Sequence, residues 1–409
     1  MKLNERLMAQ MRAATTALNK GQGVRSATAV IHDALKILSP AKAATPAAAP
    51  TMRDINPPPS QAQHADAAAH SAAAPPPAAR SPMAEASEAM RNLVPDMLAQ
   101  LDRTGGSPLQ GFKMPSFDFP TGMGGNVAPA PDLPGQFIDG SYTNAAGSRD
   151  YKLYVPSSYT STPMPLVVML HGCTQDPEDF ARGTQMNLLA EELHCFVVYP
   201  AQSQQANPSR CWNWFNEIDQ QRGQGEPSLI AGITETVMHN HNVDRDQVYV
   251  AGLSAGGAMA IIMGTLYPEL YAAVGVHSGL PFASAHDLPS ALAAMKGNLG
   301  RPARTTPIPI IVFHGDKDTT VHPVNGDELI KQGSHPAATP VVEPGRVPDG
   351  HAYTRTVHRR ADGTPHAEQW LIHGAGHAWS GGSAHGSYTD GKGPDASREM
   401  MRFFQTRRG

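Results

Sequence analysis

The apolar run Val248-Tyr249-Val250-Ala251 leads directly into Gly252-Leu253-Ser254-Ala255-Gly256, and the apolar stretch Gly257-Ala258-Met259-Ala260-Ile261-Ile262-Met263 follows at once. This is the pattern of a strand, a sharp turn and a helix. The two glycines flanking the serine let strand and helix pass closely, because neither carries a side chain. A serine at the tip of such a turn sits in a strained backbone conformation, with its hydroxyl held out of the sheet. Ser254 is therefore the candidate nucleophile, set against the bland alternative of a serine in an ordinary tight turn.

An activated serine needs a base and an acid, and two downstream segments supply them in the order serine, acid, histidine that an α/β-hydrolase arrangement requires. The first is the buried-strand pattern Ile308-Pro309-Ile310-Ile311-Val312-Phe313, which runs into His314-Gly315-Asp316-Lys317-Asp318. An acid at the C-terminal end of a parallel strand faces the active-site edge. Asp318 is preferred over Asp316 because it lies further into the loop, while Asp316 suits a turn cap. The second segment is Trp370-Leu371-Ile372-His373-Gly374-Ala375-Gly376-His377. His377, beyond two glycines, has the freedom to reach the serine, whereas His373 falls within the strand pattern and is expected to bond locally. Their four-residue spacing is that of a helical metal pair, but Gly374 and Gly376 argue against a helix and no glutamate intervenes. No metal and no cofactor is expected.

Acyl transfer also needs N–H donors aimed at the oxyanion. The apolar run ending at Leu170 continues into His171-Gly172-Cys173-Thr174-Gln175. A His-Gly turn here is the usual position of one donor, assigned to Cys173, and the residue after the nucleophile, Ala255, supplies the other. His171 either braces this loop or contacts substrate. Trp212, Trp214, Phe215 and Trp379 stand out in a chain with only 6% aromatic residues, and either line a cleft for an apolar substrate or belong to the core.

Five segments together resemble the polyhydroxybutyrate (PHB) depolymerase family of esterases: Leu170 to Gln175, Arg210-Cys211-Trp212-Asn213-Trp214-Phe215, Gly252 to Gly257, His314 to Val321, and Gly374 to Trp379. They occur in that family's order, with the oxyanion segment N-terminal to the serine as in its type 1 catalytic domain. The resemblance covers roughly residues 133 to 405. It implies an α/β-hydrolase fold, a triad of Ser254, Asp318 and His377, and hydrolysis of short-chain polyester. Related branches cleave feruloyl or acetyl esters of plant polysaccharides. The segment Ala13 to Leu38 looks like the helical leader of non-secreted members.

The rest of the chain divides unevenly. Residues 1–40 read as a helical leader, with Leu3, Leu7, Met8, Met11, Ala14 and Leu18 on one face and Ile31, Ala34, Leu35 and Leu38 forming a second apolar segment. That first face either packs on its hairpin partner or a second subunit, or docks on lipid or polymer such as a storage-granule surface. Residues 41–130 read as a largely disordered Ala/Pro-rich linker, which has too few large apolar groups to offset its ordering entropy. Residues 131–409 then form the catalytic domain. Charged and polar residues interrupt every N-terminal apolar run, so neither a secretory core nor a membrane span is expected, and a cytoplasmic enzyme is the default, with an extracellular one as the alternative. A net charge of −4 without a basic stripe argues against nucleic acid as a partner.

Three cysteines occur, none in a Cys-x-x-Cys arrangement. Cys195 reads as a buried small hydrophobe. Cys173 and Cys211 are able to pair, but in a reducing cytosol free thiols are expected. From residue 150 onward the expected order is strands at 151–155 and 166–170, helix 184–194, strand 195–199, helix 228–240, strand 248–252, helix 255–266, strands at 272–277, 308–313 and 368–372, and helix 396–405. Continuous apolar strands alternating with helices give a mostly parallel sheet covered on both faces. The expected function is a serine esterase acting on poly-3-hydroxybutyrate and its oligomers, with a carbohydrate esterase or a granule-surface binding protein as the alternatives.

Overall fold

A strand with helices on both faces has no polar side to present, which is why the central strands here are unbroken apolar runs. The structure, a computed structural model, describes residues 132–300, 307–333 and 340–406. The expected leader (1–40) and the expected linker (41–130) lie outside the described residues. In chain order the elements are β1 (Gln136–Asn144), β2 (Gly147–Val155), β3 (Met164–Leu170), α1 (Pro177–Thr184), α2 (Met186–Leu193), β4 (Phe196–Pro200), α3 (Gly225–Asn240), β5 (Val243–Leu253), α4 (Ala255–Leu266), β6 (Ala273–His277), α5 (Leu288–Met295), β7 (Ile310–Gly315), α6 (Val324–Gly333), β8 (Val341–Arg346), β9 (Ala352–Arg359), β10 (Pro365–His373) and α7 (Ala396–Gln405).

Among the described residues these strands form one sheet in the order β1-β2-β4-β3-β5-β6-β7-β10-β9-β8. The middle of it, from β4 to β10, is parallel, and an antiparallel extension flanks it on each side. This is the α/β-hydrolase arrangement. Alternate residues of each strand feed two cores. Leu166, Val168, Val250, Val276 and Val312 pack under α3 and α4, against Ile230, Ile233, Met259 and Ile262. Val167, Ala251, Ile311 and Phe313 pack on the other face against Phe180 of α1 and Met400 and Phe404 of α7. Each buried Val, Leu, Ile, Phe or Met among them contributes about 1.5–3 kcal/mol. Helix α4 is buried on nearly every side, as its lack of a single charged residue requires.

Three details depart from the expected order. The helix expected at 184–194 is α2, and α1, which was not expected, precedes it as a separate helix because Gln185 adopts a left-handed conformation (φ 55°) between them. Asp176 caps α1 by accepting from Asp179 N–H at 2.9 Å, with Pro177 in the first turn. The hairpins β1–β2 and β8–β9 and the helices α5 and α6 extend a sheet expected to be smaller. Pro344 lies in β8, the outermost strand, where a missing N–H costs no ladder bond. Among the described residues no helix is long and apolar enough to cross a membrane.

Candidate active site

Because β5, β6, β7 and β10 are parallel neighbours, their C-terminal ends emerge at one edge of the sheet. Ser254 follows β5, the loop of Asp316 and Asp318 follows β7, and the loop of His377 follows β10. The fold therefore delivers three sequence-distant side chains to the edge where ligands enter such sheets.

Ser254 has φ 57° and ψ −119°, a conformation that costs an L-residue roughly 1–3 kcal/mol. Its N–H donates to the His277 carbonyl at 2.9 Å, and its own carbonyl accepts from Ala258 N–H at 2.9 Å. A side chain at Gly256 would run into the carbonyl oxygens of Leu170 and His171. The glycine thus lets the end of β3, which carries the His171-Gly172-Cys173 loop, lie directly against the serine turn.

Asp318 is buried, with none of its side chain exposed. Its Oδ1 accepts from the N–H groups of Thr320 (2.9 Å) and Val321 (2.8 Å), and its Oδ2 accepts from His377 Nδ1 at 2.7 Å. His314 Nε2 lies 3.4 Å from the same Oδ2 while donating to the Val321 carbonyl at 2.8 Å. Burial alone would push the Asp318 carboxyl up, but the His314 and His377 bonds outweigh it and hold the group well below the usual carboxylate range. The bond to Asp318 fixes the proton of His377 on Nδ1 and leaves Nε2 as the basic nitrogen.

Asp316 makes a second, parallel pair. It accepts from His373 Nδ1 at 3.1 Å and from Gly374 N–H at 2.7 Å, and His373 Nε2 meets Thr354 Oγ1 at 2.9 Å. Both partners of this pair are substantially exposed, at 40% for His373 and 30% for Asp316. The pair pins the end of β10 to the acid loop, with Asp316 bonding across to that strand's end rather than capping its own turn. Among the described residues no group of His, Cys, Asp and Glu side chains is arranged to hold a metal ion.

His277, at the end of β6, carried no motif in the sequence and yet ties the site together. Its carbonyl receives the Ser254 N–H, and its Nε2 accepts from Ser380 N–H at 3.0 Å, three residues beyond His377. The ring stacks between Phe313 and Trp379. Burial, then the neighbouring His314 and His377, pull its pKa down to about 3, so it remains a neutral acceptor.

The loop after β3 is held from several sides. Gly172 N–H donates to Gln175 Oε1 at 3.0 Å, Thr174 N–H donates to the Ser209 carbonyl at 2.7 Å, and Thr174 Oγ1 meets Tyr388 Oη at 2.8 Å. Neither Cys173 N–H nor Ala255 N–H donates to a backbone acceptor among the described residues. Cys173 and Cys211 are joined in a disulfide, which corrects the expectation of free thiols. Their segments meet because Thr174, next to Cys173, is bonded to Ser209, two residues before Cys211, and the two cysteine Cα atoms lie 4.2 Å apart. Cys195 is buried and outside the disulfide, as expected.

Of the four aromatic residues singled out, the three tryptophans are buried and Phe215 is half-buried. Trp212 (0% exposed) and Trp379 (1%) lie in the core, as does Trp214 (6%). Trp212 Nε1 donates to the His171 carbonyl at 3.1 Å, and Trp379 Nε1 donates to Ser397 Oγ at 3.0 Å. An indole buried with its only donor satisfied braces its partner and has no donor left to offer a ligand. His171 is buried as well. Its Nδ1–H donates to the Gly172 carbonyl at 2.8 Å and its Nε2 accepts from Gln202 N–H at 3.1 Å, so it braces the loop. Burial lowers its pKa to about 4 and keeps it neutral.

Residues 149–335 match the family described as esterase PHB depolymerase. Poly(3-hydroxyalkanoate) depolymerase C of Paucimonas lemoignei is 33% identical over 253 residues, which cover 58% of this chain and 59% of that protein. Over these residues the chain is similar to the PHB depolymerase family of esterases. The protein named probable acetylxylan esterase A of Aspergillus fumigatus is 29% identical over 210 residues, 46% of this chain and 55% of that protein. The chain thus spans less than two thirds of the length of these relatives. Among solved structures, an acetyl xylan esterase from Aspergillus awamori superposes with a TM-score of 0.52 at 21% identity, covering 66% of this chain and 99% of that one, a likeness of fold.

Proposed function

We propose that this chain is a serine esterase of the PHB depolymerase family that hydrolyses short-chain polyester, poly-3-hydroxybutyrate and its oligomers, through an acyl-enzyme. The observation that carries the reading is the buried Asp318–His377 pair at the same sheet edge as a serine on a strained turn. His377 Nε2 takes the proton from Ser254 as the hydroxyl attacks the ester carbonyl. Asp318 holds the ring's tautomer and stabilises its cationic form. The N–H groups of Cys173 and Ala255 receive the oxyanion, the alcohol departs with the proton from His377, and water repeats the sequence to release the acid. The identity to a named poly(3-hydroxyalkanoate) depolymerase supports polyester as the substrate.

A carbohydrate esterase is the second reading, favoured by the similarity to a named acetylxylan esterase. One assay separates them: purified protein is given 3-hydroxybutyrate oligomers and methyl ferulate side by side, with Ser254→Ala as control. Oligomer turnover that disappears in the variant supports the first reading. Turnover of the ferulate alone supports the second, and turnover of neither returns the chain to the reading of a granule-surface binding protein. The Cys173–Cys211 disulfide favours an oxidising compartment, and so the extracellular alternative over the cytoplasm.

A further inference from the structure

Behind the loop that carries Cys173 lies a carboxylate the mechanism does not use. Glu226, in the first turn of α3, is 3% exposed. Its Oε2 accepts from Asn213 N–H at 2.7 Å. Its Oε1 accepts from Asn213 Nδ2 at 2.8 Å, from Arg149 on β2 at 3.3 Å and from Gln202 Nε2. A buried carboxylate with this many donors fixes all of their positions, because moving any of them leaves a charge or an N–H unsatisfied in a low-dielectric interior.

Two routes run from this carboxylate to the oxyanion donor. Along the first, Gln202 donates its backbone N–H to His171 Nε2, and His171 Nδ1–H holds the Gly172 carbonyl, the other face of the peptide whose N–H belongs to Cys173. Along the second, Gln202 Nε2 also donates to the Cys211 carbonyl at 2.9 Å, and Cys211 is covalently joined to Cys173. Asn213, two residues after Cys211, is bound to Glu226 through both backbone and side chain. We infer that Glu226 is a positioning residue for acyl transfer, the common anchor that sets the Cys173 N–H against the developing oxyanion. The inference rests on the esterase reading above.

The groups facing Glu226 give the anchor a dependence on protonation. Arg149 faces it from β2, Asp219 from the short turn Ile218–Gln220, whose Oδ1 accepts Glu226 N–H at 2.8 Å, and neutral His171 stands behind Gln202. Burial first, then the Asp219 carboxylate, push the Glu226 carboxyl up to about 7. A proton on Glu226 would point a hydrogen into a shell made of donors, and Glu226→Gln makes that change permanent.

The test is Glu226→Gln in the full chain, assayed with p-nitrophenyl butyrate at about pH 8, where the wild-type group is ionised. We expect kcat to fall about tenfold or more, within the range of losing part of an oxyanion donor, with KM changed less than about twofold. On the acid side, log(kcat/KM) of the wild type should fall with a slope approaching two and that of the variant with a slope of one. Wild-type kcat in a folded Glu226→Gln, or identical slopes, would overturn the role. If that variant does not fold, Asn213→Ala removes a single donor, and an unchanged kcat there overturns the role equally. Full turnover by Ser254→Ala would instead overturn the esterase reading, so the two failures are distinguishable.

Discussion

Asp316 and Asp318 stand two residues apart and each holds a histidine by a single ring nitrogen, yet only one pair has the physical setting for catalysis. Asp318 is enclosed, holds two backbone N–H groups on its second oxygen and remains ionised, so it can stabilise an imidazolium in a low-dielectric site. Asp316 faces solvent, where the same contact is screened. Asp318→Asn should therefore lower kcat for p-nitrophenyl butyrate by several orders of magnitude while Asp316→Asn has a mild effect, and the reverse ranking in steady-state kinetics would transfer the acid's role. Ser254→Ala and His377→Ala should each be as damaging as the double variant, because the groups act as a unit. Losses that multiply would contradict the assignment. At this scale the sequence was legible wherever a motif imposes backbone geometry: glycines around Ser254, and a glycine loop before His377. It was not legible for His277, Gln202 or Glu226, whose roles come from tertiary hydrogen bonds that leave no spacing in the chain.

The strands and helices that carry the site are the ones with continuous apolar runs, and those were readable because burial on both faces permits nothing else. Elements at the margins were harder. β1 shows partly exposed, polar alternation and β8 carries Pro344, so neither announces itself as strand, and of β2 only residues 151–155 were readable. What fastens the outer hairpin β8–β9 is an ion network on β10. Glu368, with no exposed side chain, accepts from Arg355 of β9 at 3.0 and 3.1 Å and from Arg402 of α7 at 2.6 Å, and Arg355 reaches Glu343 of β8 at 2.7 Å. Removing the shared acid leaves two partly buried guanidinium groups without it, so Glu368→Ala should cost about 3–5 kcal/mol in chemical denaturation. Burial pushes the Glu368 carboxyl up, but the Arg355 and Arg402 bonds outweigh it and hold it below its ordinary range. A depressed carboxyl contributes stability that is present above its unfolded-state pKa of about 4.3 and lost as pH falls through the lower folded value. The wild type should thus lose stability in acid more steeply than Glu368→Ala. Equal acid sensitivity in the two proteins would remove this network from the account.

Considered whole, the molecule gathers every proposed catalytic group within the described residues between Cys173 and His377, and every contact between them is made there. A chain lacking residues 1 to about 125 should accordingly fold and turn over p-nitrophenyl butyrate at a rate close to the full chain's. If the face bearing Leu3, Leu7 and Met11 anchors the enzyme on polymer, the same deletion should weaken pelleting with amorphous poly-3-hydroxybutyrate particles, because tethering raises the local substrate concentration. Retained pelleting would leave that face to packing. Substrate choice was the least legible property, since the tryptophans read as either cleft or core are buried, and Trp212 braces the oxyanion loop through the His171 carbonyl. The central claim, that Ser254 is the nucleophile of an esterase, is tested most directly by reacting the full chain with a fluorophosphonate and following residual turnover beside intact mass and peptide mapping. The account predicts one adduct per chain, on the peptide bearing Ser254, with activity lost in proportion to labelling. Activity lost with the label elsewhere, or full turnover by a chain labelled at Ser254, would contradict it.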